Sequence, residues 1–420
     1  MAPAMTVQAA SILDADAIGR ISDRFEEPDW LRALRAAWWK RADSTPPPTG
    51  QEEEWRRTSL ADLPRGAVLL MDVPELETHL PSGAAENGVI LTDLRTAVRD
   101  HPELVERYLG QVDGPASHAH FWALAQAAWT GGLFCYVPRG VSVDGTLVAR
   151  QTLPRADVAF HPVTLVVAEE DSSVTLLTEV VSPDGAAGWY GGIADVRAGA
   201  SARVRYADLQ QLGDGAWRIG AERVVVGQDA VVTTLNAEVG SRITKLGLDV
   251  LMTGKGGTSK VLGILAAGDD QQIDINTVQD LAADHTTSDL LYLSALYDRA
   301  HASFYGITNV RHGTKQTSSY QECRNLLLSP QAGAEPIPVL EIAANDILRC
   351  GHGATAGAID PTTLFYAQTR GLDADAAERM IVRGFFEQVV SQIVDETIRQ
   401  RVLAALARRI GAESSDEVAA

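Results

Sequence analysis

Residues 231–270 read VVTTLNAEVGSRITKLGLDVLMTGKGGTSKVLGILAAGDD, and the fold can be predicted from this stretch. Short apolar runs occupy 231–235, 246–252 and 261–265. Turn-forming residues separate them, at Gly254-Lys255-Gly256-Gly257 and at Gly268-Asp269-Asp270. Short apolar runs bounded by glycine and aspartate predict β-strands joined by tight turns.

The same pattern of short apolar runs separated by turn residues extends from about Val141 to Leu348, and no run in this region predicts a long helix. Many short strands at regular spacing are typical of a sandwich, a barrel or a β-solenoid. The length favours the solenoid, because an ordinary sandwich needs about 100 residues whereas stacked coils can extend further. The sequence shows no clean repeat, so the prediction of a solenoid depends on the length of the region and on its pattern of short strands and turns.

Helical patterns flank the strand region. Two short helices separated at Pro102 are predicted across 91–109, and Asp373 is a good N-cap for a helix over 374–382. We expect Gly384 to end that helix and a longer one to run over about 385–410. The predicted domains are a mainly helical N-terminal domain, a β-helix core and a C-terminal helical domain, at 1–132, 133–358 and 359–420.

Composition excludes several classes of protein. The 420 residues are 45% hydrophobic and carry a net charge of −19, so we expect no binding to nucleic acid or to anionic membranes. No run approaches the ~18–20 apolar residues of a membrane helix, and no secretory signal is recognisable. Three cysteines without such a signal predict a reducing, cytoplasmic environment.

No local catalytic motif is present. The glycine-rich stretch 254–260 has its lysine and glycines in the wrong order for a phosphate loop, so we expect this chain to bind no nucleotide. Neither a Gly-x-Ser-x-Gly elbow nor a His-Glu-x-x-His helix occurs. A triad assembled from distant positions stays open, but we predict no catalytic residue and a non-enzymatic role.

The densest cluster of reactive side chains is Cys350-Gly351-His352-Gly353. In a strand, Cys350 and His352 share one face about 6.6 Å apart. A thiolate with an imidazole suits iron or zinc, although a site needs three or four ligands. A buried structural cysteine beside a hydrogen-bonded histidine explains the same residues.

An ordered series of motifs resembles the SufB/SufD family of iron–sulfur cluster assembly proteins, most closely over about 285–390. The resemblance rests on Pro28-x-Trp30-Leu31, Glu54-Trp55-Arg56-x-Thr58, Ser303-Phe304-Tyr305-Gly306, Asn325-Leu326-Leu327-Leu328-Ser329, Pro338-Val339-Leu340-Glu341-Ile342, Cys350-Gly351-His352-Gly353-Ala354-Thr355-Ala356-Gly357, Leu364-Phe365-Tyr366, Arg370-Gly371 and Gly384-Phe385.

Within the family the chain is similar to the SufD type. Cys350 to Gly357 reproduces the SufD segment Cys-x-His-Gly-Ala-Thr-x-Gly, and Gly353 stands where SufB has a glutamate. The stretch Ser329–Ala334 lacks the cysteine that SufB has after its Leu-Leu run. These differences argue against cluster building by this chain alone.

The resemblance implies a right-handed parallel β-helix between two helical domains. It implies a complex with a SufB-like paralogue and a SufC-like ATPase, and it allows a homodimer of the isolated chain. The transient iron–sulfur cluster would be shared with SufB at an interface that includes His352 and Cys350. The C-terminal helices would dock SufC through Phe365, Tyr366, Arg370, Gly371 and Phe385.

Two alternatives accompany this reading. The chain could be a purely structural partner of SufB in which His352 is idle. It could also be a β-helix enzyme acting on carbohydrate, with carboxylates in a flank groove. Asp269, Asp270, Asp274 and Asp280 fit that second alternative, although turn formation explains them more simply.

Overall fold

The computed structural model describes residues 13–73, 76–153, 158–183 and 185–410. Its eight helices within these residues are α1 (Ala15–Arg24), α2 (Asp29–Ser44), α3 (Leu94–Asp100), α4 (Pro102–Tyr108), α5 (Ala119–Ala128), α6 (Pro361–Thr369), α7 (Ala374–Val390) and α8 (Glu396–Arg409). Short 3-10 turns occur at Glu53–Trp55 and Ala116–His118.

The strands make up 42% of the residues, so the protein is mainly β as predicted. They are β1 (Val68–Leu69), β2 (Glu77–His79), β3 (Ile90–Asp93), β4 (Gly132–Val137), β5 (Ser142–Thr152), β6 (Val158–Phe160), β7 (Val163–Ala168), β8 (Ser173–Val181), β9 (Trp189–Tyr190), β10 (Ile193–Ala198), β11 (Arg203–Gln211), β12 (Trp217–Val226), β13 (Val231–Glu238), β14 (Ile243–Met252), β15 (Thr258–Ala267), β16 (Gln272–Leu281), β17 (Thr287–Leu296), β18 (His301–Val310), β19 (Lys315–Leu327), β20 (Gly333–Ile342) and β21 (Asp346–Ala358).

These strands form a β-solenoid of about eight turns, which confirms the predicted fold class. Through the central coils, successive strands alternate between two sheets. One sheet follows the path β20-β18-β16-β14-β12-β10-β7-β4-β3, and the other follows β2-β5-β8-β11-β13-β15-β17-β19-β21. Nearly all of these ladders are parallel; the antiparallel pairs are β3 with β4 and β2 with β5.

A column of tight turns carries the structural repeat. Its members have positive φ, between 53° and 75°, and they follow one another at intervals of 30, 28, 27, 29 and 31 residues. In each of the first five, the backbone N–H donates to a carbonyl of the next coil at 2.7–3.0 Å. Left-handed backbone favours glycine, aspartate and other short polar residues over apolar ones. The column consists of Asp171, Ser201, Asp229, Gly256, His285 and Gln316.

Helices cover the outer faces of both sheets. Helix α5 packs on β12 of the first sheet, and α1 and α2 pack on α5. Outward side chains of the sheet such as Leu165 and Ile219 belong to the same apolar cluster. Helices α7 and α8 pack on the second sheet, where Phe386 and Val402 meet residues such as Leu235. A separate apolar core fills the solenoid interior. Both faces of each sheet are therefore buried along much of the solenoid.

Polar contacts hold the N-terminal segment to the first sheet. The Lys245 ammonium pairs with Asp274 at 2.8 Å and lies 5.0 Å from the ring centroid of Trp55. The Thr58 hydroxyl donates to Asp274 at 2.6 Å, and the Arg57 guanidinium pairs with Glu335 of β20 at 2.9 Å. The segment 54–58 therefore anchors the N-terminal helices to the solenoid as far as its last coil.

The C-terminal helices differ from the prediction. The Asp373 side chain accepts the backbone N–H of Ala376, so the predicted N-cap is confirmed. The prediction that Gly384 ends this helix is wrong, because α7 continues to Val390 and the next helix begins only at Glu396. Packing of the α7 apolar stripe on the second sheet outweighs the low helix propensity of one glycine. No described helix has the length and apolar character needed to cross a membrane.

Candidate functional site

The last coil of the solenoid leaves two strand edges open. β20 ends one sheet and β21 ends the other, and among the described residues neither has a strand partner on its outer side. β21 has no buried residue, whereas every second residue of β19 is buried over most of its length. An open strand edge presents backbone donors and acceptors that another chain can pair with.

Cys350 and His352 lie in β21 at this open end. The ladder places Cys350 opposite Ser319 and His352 opposite Gln321, both of which are buried positions of β19. Since side chains alternate between the faces of a strand, both residues lie on the face directed to the solenoid interior. His352 is exposed and Cys350 is half-buried, because no further coil covers them.

The glycines around His352 fit against an aromatic ring. Gly351 and Gly353 lie on the outer face of β21, next to Tyr320 of β19, and the Arg349 guanidinium stacks 4.3 Å from that ring's centroid. A Cβ atom at Gly353 would be 3.2 Å from the Tyr320 hydroxyl. The side chain missing at this position therefore leaves room for the tyrosine and keeps the strand edge uncrowded.

The donor set fits iron or zinc but does not complete a site. Thiolate and imidazole are suitable ligands. Burial raises the pKa of the Cys350 thiol, so a metal that binds its sulfur must displace the thiol proton. No group of three or more His, Cys, Asp or Glu side chains within metal-binding reach occurs among the described residues. Any metal held by Cys350 and His352 therefore needs ligands from a second chain or from the cargo itself.

The other cysteines lie in the core. Cys135 is fully buried, and Cys323 is also buried although its neighbours in the sequence are polar. Cys323 lies on the inward face of β19, where burial raises its pKa to about 12. Its polar neighbours Glu322 and Arg324 pair with each other on the opposite face of the strand.

The four acids considered for carbohydrate chemistry are engaged in separate contacts. Asp274 is buried against Lys245, and the Arg311 guanidinium donates to Asp280 at 2.8 Å. The remaining two, at 269–270, form an exposed turn between β15 and β16. These carboxylates therefore do not make a shared catalytic groove.

A second exposed surface lies on α6. Phe365 and Tyr366 are 65% and 60% exposed, and Ala367 is the one buried residue of this helix. The Arg370 guanidinium lies 5.1 Å from the Tyr366 ring centroid and donates to its hydroxyl at 2.7 Å, while Gly371 takes φ 97° as the chain turns. Phe385 differs, since it packs partly into the core between α7 and the second sheet. The two neighbouring rings expose apolar surface, and contiguous apolar surface is a feature of protein interaction sites.

One residue of the open end was missed by the sequence reasoning. Gln321 is fully buried, and its side-chain amide has no hydrogen-bond partner among the described residues. The signal was its place in the alternation of β19, where it shares the inward face with Cys323. Only the ladder shows that it lies directly beneath His352.

Comparison with known proteins agrees with the motifs. A family model described as the SUF system FeS cluster assembly SufBD core domain matches residues 151–385, and a SufBD protein N-terminal region model matches residues 66–148. The chain is 28% identical to the iron–sulfur cluster assembly protein SufD of Bacillus subtilis, over 97% of this chain and 100% of that protein. It is 26% identical to a SufBD family protein of Staphylococcus saprophyticus, over 73% of this chain and 66% of that protein.

Proposed function

We propose that this chain, which belongs to the SufB/SufD family of iron–sulfur cluster assembly proteins, is a scaffold subunit of the SUF system. Its role in SUF iron–sulfur cluster assembly follows from that membership. The observation that carries the finer proposal is the open end of the solenoid, where Cys350 and His352 lie on β21 and the outer edges of β20 and β21 have no strand partner among the described residues.

We propose that a SufB-like paralogue pairs with the edges of β20 and β21. Stacked repeats need a covered end, and an open coil exposes core-type side chains that a partner can bury. Leu348 is 65% exposed and Ile342 is 43% exposed on the strands concerned. The same edge would let two copies of the isolated chain form a homodimer.

In this complex the nascent cluster is cargo that the two chains hold together. His352 would supply a neutral imidazole nitrogen, and Cys350 would supply a thiolate after losing its proton to the solvent. Ligands from the SufB-like chain and bridging sulfide would complete the coordination. Both residues of this chain lie on β21, which fixes the distance between them, and the remaining ligands arrive only when the partner is docked.

We propose that a SufC-like ATPase docks on the C-terminal helical domain, residues 359–420, through the exposed surface of α6. The apolar rings of Phe365 and Tyr366 and the cation of Arg370 support this placement. Closure of the ATPase on binding ATP would shift the attached subunits and open their interface to iron and sulfide. This chain itself would bind no nucleotide and catalyse no step.

The three cysteines form no disulfide, since all are free in the structure. Thiols stay reduced in the cytoplasm, and cluster assembly with thiolate ligands is favoured there. We therefore propose that the protein works in the cytoplasm.

Anaerobic reconstitution with SufB and SufC tests the site. We expect His352→Ala to form the complex by size-exclusion chromatography but to lose most of the iron, acid-labile sulfide and cluster absorbance after ATP addition. Cys350→Ala should lose part of them. His312→Ala, which removes an exposed histidine from the turn after β18, is the matched control. Normal clusters in both site variants would show that the chain is a structural partner only.

A second experiment tests the ATPase surface. Phe365→Asp should lose SufC during purification while keeping SufB, because it places a charge on the exposed face of α6. Val394→Asp is the control, since Val394 is 80% exposed in the connection between α7 and α8. Retention of SufC by the Phe365 variant would place the docking surface elsewhere.

A further inference from the structure

We propose that Gln321 is a positioning residue for His352: its side-chain oxygen accepts a ring N–H and leaves the other ring nitrogen free for the metal. This inference rests on the proposed function of His352 as a ligand. Gln321 contacts neither substrate nor metal in this proposal, and acts only by orienting the imidazole.

The first step is the unsatisfied amide of Gln321. Both of its polar atoms are buried without a hydrogen-bond partner among the described residues. Most buried polar groups in proteins are hydrogen-bonded, and an unpaired one lowers stability. Proteins break such rules mainly at functional sites, and the Gln321 amide lies next to a proposed ligand, so a partner gained in the functional state would satisfy it.

A second glutamine shows what a structural amide looks like in this interior. The Gln279 amide nitrogen donates to the Ser288 hydroxyl at 2.8 Å and to the Ser288 carbonyl at 3.1 Å. Its oxygen accepts the Thr308 hydroxyl at 3.2 Å. Gln279 is therefore bonded at both ends within the solenoid, whereas Gln321 at the open end is not.

The ladder that contains Gln321 leaves His352 as its polar neighbour. On its N-terminal side in the ladder, Gln321 is paired with Leu290, which in turn is paired with Val261. Both of these residues are apolar and buried. On the other side of Gln321, one ladder step of about 4.8 Å away, is His352. The imidazole of His352 also has no hydrogen-bond partner among the described residues, so two unpaired polar groups lie on adjacent positions of one face.

A glycine makes room for this arrangement. The Gln321 side chain extends across the interior to β18, where a Cβ atom at Gly306 would be 2.2 Å from its amide nitrogen. Gly306 ends the motif Ser303-Phe304-Tyr305-Gly306, and a Cβ atom there would also lie 2.5 Å from the Phe304 ring, so both side chains need the glycine. The Gln321 amide therefore crosses the solenoid interior beneath the open end. The imidazole of His352 could approach it by turning toward the interior.

The chemistry of metal-binding histidines gives the arrangement its function. A ligating imidazole usually donates its second N–H to an oxygen acceptor, which fixes the tautomer and the ring orientation. The Gln321 amide oxygen is such an acceptor, and it carries no charge that would need neutralising in the interior. Docking of the partner over β21 would exclude water from His352 and favour this hydrogen bond.

The test uses the complex reconstituted with the SufB-like and SufC-like subunits, with 15N-labelled histidine in this chain only. At pH 8, the ring nitrogen shifts of His352, assigned from His352→Ala, should show one dominant tautomer in the wild type. Gln321→Leu should shift them toward the tautomer mixture of free histidine, and Gln321→Glu, which keeps an acceptor oxygen, should retain the wild-type tautomer. Unchanged His352 signals in Gln321→Leu would overturn the inference.

Stability and assembly separate positioning from a structural role. Gln321→Leu should leave the melting temperature of the isolated chain equal or higher, since it breaks no hydrogen bond, whereas Gln279→Leu should lower it. In the reconstituted complex, Gln321→Leu should reduce the cluster yield several-fold, and Gln321→Glu should recover part of it. A normal yield in Gln321→Leu beside a failed His352→Ala would also overturn the inference. Normal assembly by His352→Ala would instead refute the proposed function, while the tautomer measurement would still decide the contact.

Discussion

Replacing Glu222 by glutamine tests a buried charge cluster in the solenoid interior. Asp208, Glu222 and Glu238 surround a single cation, Arg218, and all four side chains are less than 10% exposed. The guanidinium bonds Asp208 directly and lies 3.5 Å from Glu238 and 3.9 Å from Glu222. One cation cannot compensate three buried carboxylates, so a proton must be held by the cluster.

The pKa values assign that proton to the two glutamates. Burial, with the charge of Asp208 added, raises the pKa of Glu222 from 4.5 to about 8. Burial also raises the pKa of Glu238 to about 7. One oxygen of each carboxyl has no hydrogen-bond donor among the described residues, which agrees with weak stabilisation of the charged form.

The sign of the pH dependence follows from these values. The folded protein keeps the Glu222 proton up to about pH 8, whereas the unfolded chain releases it near pH 4.5. The stability from this proton is therefore fully present below pH 4.5 and is lost as the pH rises through 8. At about 1.4 kcal/mol per pKa unit the whole interval corresponds to ~5 kcal/mol. Because Glu238 shares the proton uptake, we expect Glu222 to account for about 2–3 kcal/mol of this.

Glutamine keeps the local contacts but cannot ionise. Its oxygen can accept the Asn236 amide, which lies 2.9 Å from Glu222 Oε1. We expect Glu222→Gln to match the wild type near pH 5 within about 1 kcal/mol and to be about 2–3 kcal/mol more stable at pH 8.5. Urea unfolding at half-unit steps from pH 5 to 8.5 measures the difference. Glu170→Gln, at an exposed pair with Arg139, is the control and should follow the wild type throughout.

Parallel curves for Glu222→Gln and the wild type across this range would refute the reasoning. They would mean that the carboxyl ionises in the fold as readily as in the unfolded chain. A variant that is less stable at every pH would likewise show that the charged carboxylate is needed by Arg218.

Three further outcomes are expected. Arg35→Leu leaves the buried Glu27 carboxylate without the guanidinium that lies 2.7 Å away. We expect the free energy of unfolding, measured in urea, to fall by about 3–5 kcal/mol, and a loss below ~1 kcal/mol would contradict this. Gly263→Ala should cost about 1–3 kcal/mol and lower the melting temperature, since its Cβ would lie 2.1 Å from the Tyr292 ring; an unchanged melting temperature would show that the ring moves freely. In the folded chain, iodoacetamide should label Cys350 far faster than the two buried cysteines, whose pKa values burial raises to about 12; equal labelling of all three by mass spectrometry would disprove the burial.

The chemistry of neighbouring residues was enough to predict several structural elements. The turn residues between apolar runs predicted the strands of the core, and Pro102 correctly separated α3 from α4. Asp373 was correctly identified as an N-cap because capping depends on a side chain and the backbone next to it. The length of the strand region favoured a solenoid, and the motif Cys350 to Gly357 carried the family resemblance.

The repeat itself could not be read from residue identity. It consists of backbone turns with positive φ, and aspartate, serine, glycine, histidine and glutamine all occupy equivalent positions in the column. The prediction of a helix end at Gly384 was wrong for a related reason, since packing against the second sheet decides where α7 ends. Local propensity is weak compared with the burial of a whole apolar stripe.

By itself, then, the sequence determined the pattern of short strands and turns, the Asp373 cap, the family motif and the lack of a phosphate loop. Only the tertiary structure decided which side chains face the interior, because helices cover the outer faces and the strands read as continuous apolar runs without alternation. Cys323 and Cys350 both face the interior, but β21 covers Cys323 whereas no further coil covers Cys350, so only Cys323 is fully buried. The fold also stacks Gln321 beneath His352 across a ladder that joins residues 31 positions apart, and local spacing carries no information about such a contact.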